Sequence, residues 1–134
     1  IRDSLRAVFP KEELHNDLMS NGWQIVYLED ISIFDQIRLF ANAKRIAGVH
    51  GAALTNIIYA HNKASIIELT HINGSPDCFL RLAKALNLSS YKQVACKSPL
   101  DKSQEEYIKA MTHNQSNNVL PLLYTEKIRD SLFS

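Results

Sequence analysis

KRIAGVHGAALTN, residues 44–56, reads as a strand that hands over to a helix. The apolar run stops where Gly48 and Gly51 bracket Val49 and His50, then resumes as the small residues Ala52 and Ala53 ahead of Leu54. Glycines at such a junction permit positive φ and let a ligand approach the backbone closely. The residues that follow leave peptide N–H groups uncovered at a fresh helix N-terminus, a place that favours an anion. The stretch is therefore expected to hold the diphosphate of a nucleotide donor, through Gly48, His50, Gly51, Ala52, Ala53, Leu54, Thr55 and Asn56. A tight turn that binds nothing is the plainer alternative.

Working outward, strands and helices alternate. Upstream, Lys11–Asn21 carries Leu14, Leu18 and Met19 at helical spacing behind Pro10 and is closed by Gly22. Trp23–Leu28, WQIVYL, is rich in β-branched and aromatic residues and predicts a strand. Ser32 is the expected N-cap of a helix reaching Ala43, with Asp35 in its first turn and Ile33, Ile37, Leu39 and Phe40 along one stripe. Arg45–Val49 is the next strand, Ala52–Tyr59 the helix after the glycine turn, and Ser65–Leu69 another strand. Downstream, Ser75 as N-cap and Pro76 at the first helical position predict a helix through Leu86, ended by Asn87. A strand over Tyr91–Ala95, a helix over Glu105–Met111 within a polar insertion, a strand over Asn118–Leu123 and a helix over Glu126–Leu132 complete the order. Alternation of this kind implies a single α/β domain over residues 1–134, a parallel sheet flanked by helices on both faces, because parallel strands need helical crossovers. In such sheets ligands bind beyond the carboxyl ends of the strands, where Glu29-Asp30, the glycine turn and the stretch from Glu68 to Ser75 would converge.

Composition removes several classes of function. At 134 residues, 46% hydrophobic and 22% charged, the chain has the makeup of one globular domain. A net charge of +1 with no Lys/Arg run argues against a nucleic-acid partner. No apolar stretch is long enough to cross a bilayer, so no membrane span is expected. Cys78 and Cys96 lie far apart without a ligand cluster, which points to buried thiols in a reducing compartment and to no metal site. The expected location is cytoplasmic, or peripheral to a membrane. The glycine turn lacks G-x-G-x-x-G and the Gly-Lys-Ser/Thr of a P-loop, and G-x-S-x-G does not occur. D-x-D is also missing, so a metal-clamped diphosphate has no visible ligands and no cofactor is expected.

The run from Leu28 to Leu69 resembles the donor region of the glycosyltransferase 61 family. LED after a strand, G-x-HGA-x-LTN and a hydrophobic strand ending in IIEL carry the likeness, and Phe79–Tyr91 is similar to the family's next helix and tyrosine. The resemblance covers most of residues 11–95. It implies a Rossmann-like domain like the C-terminal half of a GT-B enzyme, binding a nucleotide-sugar, usually UDP-linked, for inverting transfer to a glycan or polysaccharide acceptor, as in capsule synthesis. Ala53 stands where many members have glycine. Family enzymes carry a further N-terminal domain that contributes acceptor contacts and often the base. This chain is thus expected to be a donor half, from a fragment or a reduced homologue, completed by that domain or by self-association. The alternative is a non-catalytic nucleotide-binding or interaction module that needs a partner domain.

Within this frame, His50 is a phosphate donor or, less readily, a catalytic base, against a packed or capping histidine. Glu68 is matched to ribose hydroxyls against a salt bridge or cap, and His71 and Ser75 to the donor ribose or sugar. Thr55 ranks above Asn56 as a phosphate contact, since Asn56 serves equally to brace the turn. Arg38 is expected to pair with Asp35 and Arg45 to balance phosphate charge, while Trp23 and Phe40 belong to the core.

Overall fold

A computed structural model of the chain describes residues 7–72, 74–112 and 120–134. In chain order the elements are β1 (Val8–Phe9), α1 (Lys11–Ser20), a 3₁₀ turn (Leu28–Asp30), α2 (Ile33–Asn42), β2 (Arg45–Val49), a 3₁₀ helix (Ala52–Tyr59), β3 (Ser65–His71), α3 (Cys78–Ala85), β4 (Ser90–Cys96), α4 (Lys102–Thr112), β5 (Leu122–Leu123) and α5 (Glu126–Phe133). β2, β3 and β4 form a parallel sheet in that order, and β1 pairs with β5, also in parallel. The fold is the expected α/β arrangement of Rossmann-like type, parallel strands with helices packed on both faces.

Register decides what each face carries. Gly48 stands beside Glu68 and Glu68 beside Gln93, while Ile66 pairs with Tyr91 and Leu69 with Val94. Side chains alternate across a strand, so Ile67 and Leu69 enter one core and Ile66 the other. The first core joins Leu14 and Leu18 of α1 to Ile67, Leu69, Val94 and, from α5, Ile128 and Leu132. The second joins Phe40 of α2, Leu54 and Ile57 of the long 3₁₀ helix, Ile66, and Phe79 and Ala83 of α3. β3 is buried at every position from Ile66 to His71. Ile66 and Ile57 are fully enclosed, each contributing about 1.5–3 kcal/mol by area removed from water.

Local chemistry explains where the elements begin and end. Ser32 caps α2 by accepting the Asp35 N–H at 3.1 Å. At the end of α3, Asn87 has φ 56°, and the N–H groups of Asn87 and Leu88 reach Lys84 O and Ala83 O, the paired bonds of a Schellman motif. The helix predicted over Ala52–Tyr59 is present but 3₁₀. Leu54 and Ile57 are buried with half-buried Ala60 behind them, a spacing of three that matches 3.0 residues per turn, and Thr55, Ile57 and Ile58 are β-branched residues that favour an α-helix weakly.

Several expectations are corrected. Trp23–Tyr27 makes no ladder among the described residues, and Leu28 starts the 3₁₀ turn. Trp23 and Ile25 pack on the first core and Leu28 on the second, with Leu28 O taken by Gln36 Nε2 at 2.9 Å. Its β-like composition reflects this half-buried packing, not a paired edge. Ser75 does not cap α3; Asp77 takes the N-cap position without a side-chain bond, and Ser75 Oγ accepts the His71 N–H at 3.4 Å. Arg45 lies over the Trp23 ring at 4.8 Å, at the start of β2 and away from the glycine turn. Ile33 is exposed, and Cys78 is exposed while Cys96 is buried with its thiol pushed up to about 11 by burial. The expected strand Asn118–Leu123 is described only at its end, residues 118 and 119 lying outside the described residues.

Two glycine expectations also change. Gly51 has φ 168°, extended backbone open to any residue. Gly48 lies in β2, and a Cβ there would sit 3.2 Å from Leu54 Cδ2. The glycine is needed because the 3₁₀ helix packs its buried leucine directly onto the strand. Gly48→Val is expected to cost about 1–3 kcal/mol by overpacking this contact, measured by urea denaturation.

Across the first core, Asp17 of α1 accepts from Tyr124 Oη at 2.6 Å and from Arg129 Nε at 3.1 Å. The Tyr124 hydroxyl first, then Arg129, holds the Asp17 carboxyl below its ordinary 3.8. A carboxyl depressed on folding contributes stability above its unfolded value and loses it as pH falls through the folded value. Asp17→Asn is therefore expected to flatten the acid limb of the stability–pH curve below about pH 4, read by denaturation at stepped pH.

Candidate functional site

The carboxyl end of the sheet gathers a buried polar group. Glu68, central in β3, is fully enclosed, so its charge has to be met by partners and not by water. His50 Nδ1 lies 2.6 Å from its Oε2, and Gln93 Nε2 donates to its Oε1 at 2.8 Å. One partner comes from the end of β2 and the other from β4. The His50 N–H donates to Leu69 O at 2.9 Å, continuing the β2–β3 ladder one residue beyond Val49. This backbone bond places the His50 side chain on the face of Gly48 and Glu68. Phe79, in the first turn of α3, meets the imidazole edge-on with ring centroids 5.1 Å apart. His50 is itself only 5% exposed.

Tyr91 stands on the same face of β4 with its hydroxyl buried beside Glu68. Burial, then the nearby Glu68 carboxylate, raises its phenol far above the ordinary range. It stays neutral, and its neighbour Glu68 is the site's buried acid.

The glycine turn itself offers fewer amides than the sequence suggests. Leu54 N–H is consumed by Gly51 O at 3.0 Å, and the 3₁₀ ladder turns the following amides inward. Among the described residues, no backbone acceptor meets the N–H groups of Gly51, Ala52 and Ala53. Ala52 and Ala53 are exposed, as is the Thr55 side chain. Asn56 Nδ2 donates to Gln36 Oε1 at 3.0 Å, a brace between the 3₁₀ helix and α2.

The remaining candidates are placed away from this group. Glu68, expected at ribose or sugar hydroxyls, is sealed from solvent with both oxygens engaged. His71 is on the opposite face of β3, 2% exposed, with Nε2 3.6 Å from Glu105 Oε1 of α4. Burial pushes the His71 imidazole below its ordinary value, with Glu105 acting in the other direction. Ser75 is half-buried and tied to the His71 backbone. Arg38 pairs with Asp35 at 3.7 Å on the exposed side of α2, and Glu29 and Asp30 are solvated in their 3₁₀ turn. Gln93 escaped the sequence reading, and Tyr91 entered it only through the family likeness and the start of a strand, without a role at the site. Their signal was a polar residue and a phenol at alternate positions of a strand whose neighbour carries a buried acid, visible only once the register is known.

No helix among the described residues is long and apolar enough to cross a membrane. No curated protein and no solved structure matches the chain. The family model of Glycosyltransferase 61 does match, over residues 2–67, about half of the chain. The matched part holds α1, α2, β2 and the whole glycine turn, and ends one residue before Glu68. The chain thus carries a domain of the glycosyltransferase 61 family, with the HGAALTN turn and His50 inside the family's own segment.

Proposed function

We propose that the chain is the donor-binding part of an inverting glycosyltransferase that takes a sugar from a nucleotide-sugar, UDP-linked, and passes it to a glycan or polysaccharide acceptor. One observation carries this reading: within the family-matched segment, the open amides of Gly51, Ala52 and Ala53 lie next to His50 at the carboxyl end of the parallel strands. That end is where α/β sheets bind nucleotides, and clustered N–H groups suit a diphosphate.

In this reading the diphosphate rests on those three amides, the exposed Thr55 hydroxyl adds a contact, and His50 Nε2 meets a phosphate oxygen. An acceptor hydroxyl attacks the anomeric carbon from the face opposite the leaving UDP. The bond from that carbon to the diphosphate oxygen breaks, and the amides and imidazole stabilise the charge that grows on the leaving group. The site is metal-independent, since the sequence has no D-x-D to clamp a cation. Acceptor binding and the base that receives the hydroxyl proton are assigned to a second domain or a partner.

Calorimetric titration with UDP is expected to show binding that weakens with salt, as screening reduces attraction to the diphosphate. Ala53→Asp, which sets a carboxylate over the open amides at an exposed position, is expected to lower UDP affinity at least tenfold, a loss of about 1.4 kcal/mol. No heat with millimolar UDP, or an unaffected Ala53→Asp chain, overturns the donor-site reading.

A further inference from the structure

We propose that Glu68 is the positioning residue of the site: its buried carboxylate holds the His50 ring by Nδ1 and so fixes Nε2 as the nitrogen offered to the ligand. This rests on the reading of His50 as a diphosphate contact. The matched family segment stops at Ile67, so the role comes from the geometry of this chain.

The donor assignment follows from the contacts. An ionised carboxylate only accepts, and Glu68 sits 2.6 Å from His50 Nδ1 while receiving the Gln93 amide on its other oxygen. The proton between Glu68 and His50 is then on Nδ1, and the neutral ring keeps Nε2 bare, since the bond at one imidazole nitrogen sets the state of the other. When Nε2 gains a proton and meets a phosphate oxygen, the same carboxylate balances the imidazolium inside the protein. Among the described residues, the groups facing His50 support no rival partner. Gln93 is spent on Glu68, Tyr91 from β4 is a neutral phenol, and Phe79 from α3 contributes only a ring edge. From β2, Gly48 has no side chain to compete for the carboxylate beside it.

The arrangement makes Gln93 a second determinant. Because its Nε2 donates to Oε1 of residue 68, a glutamine at that position would keep its own carbonyl oxygen toward Gln93 and turn its amide NH₂ toward His50. An amide N–H facing Nδ1 requires that nitrogen to accept, which forces the proton to Nε2. Glu68→Gln should therefore invert the tautomer with almost no change in shape.

The chain labelled with ¹⁵N-histidine, its His50 signals identified by their loss in His50→Gln, tests this by long-range ¹H–¹⁵N spectra at about pH 8.5, above the ordinary imidazole range. The unaltered chain without UDP is expected to show His50 protonated at Nδ1 and bare at Nε2, and Glu68→Gln the reverse. An Nε2-protonated neutral ring in the unaltered chain overturns the proposal even if the variant does not fold, and so does a folded Glu68→Gln chain with the same tautomer as the unaltered one. Failure of UDP to bind at all counts against the donor-site reading alone, because the tautomer is measured without ligand.

Discussion

A carboxylate in the middle of a strand buried from Ile66 to His71 is the constraint around which this sheet is arranged. Glu68 cannot be left uncompensated at 0% exposure, since removing a lone charge from water costs far more than any single contact returns. Its two oxygens are met from two different strands, His50 beyond the end of β2 and Gln93 on β4. Those contacts exist only in one register, Gly48 beside Glu68 beside Gln93. A slip of one residue on either side would turn the partner to the opposite face and strand the charge. The polar group thus specifies strand alignment at the carboxyl end of the sheet, while the apolar cores above and below supply the bulk of the stabilisation.

The glycine turn depends on the same alignment. His50 occupies its position because its amide extends the β2–β3 ladder to Leu69 O, and the chain leaves the sheet directly after it. The 3₁₀ helix that follows can lie against β2 because Gly48 leaves room for Leu54, and it is tied laterally to α2 through Asn56 and Gln36. Packing at every third residue, Leu54 then Ile57, selects the tighter helix and spends amides that an α-helix would have left open in its first turn. Among the described residues, the N–H groups of Gly51, Ala52 and Ala53 remain without a backbone acceptor, where four or more residues looked available.

Much of the fold was legible along the chain. Ser32 with Asp35, the period of α1, α2 and α3, and the β-branched runs at Arg45–Val49 and Ser65–Leu69 are local signals, and each produced the element it announced. WQIVYL misled because β-branched and aromatic residues suit any half-buried extended surface, whether or not the backbone is paired. β1 gave no signal, being two residues that, among the described residues, pair with β5 at the other end of the chain. Arg45 illustrates the same limit among functional residues: a cation just before the glycine turn is close in sequence, yet a strand carries it to the far end of the sheet, onto Trp23.

The sequence by itself determined the α/β order, the handover at HGAALTN and the likeness to a glycosyltransferase family, because these rest on residue type and short-range spacing. It could not determine which side chains meet across the sheet. His50 and Glu68 are separated by 18 positions and Glu68 and Gln93 by 25. Only strand register brings them within hydrogen-bond distance, and of the two readings open for Glu68, ribose contact or salt bridge, it makes Glu68 a sealed partner of the histidine. The same register sends His71 to the opposite face, three residues from Glu68 in the chain and on the other side of the sheet. Neighbours along a strand alternate between faces, whereas neighbours across it share one, so the composition of the site was decided by pairing between strands.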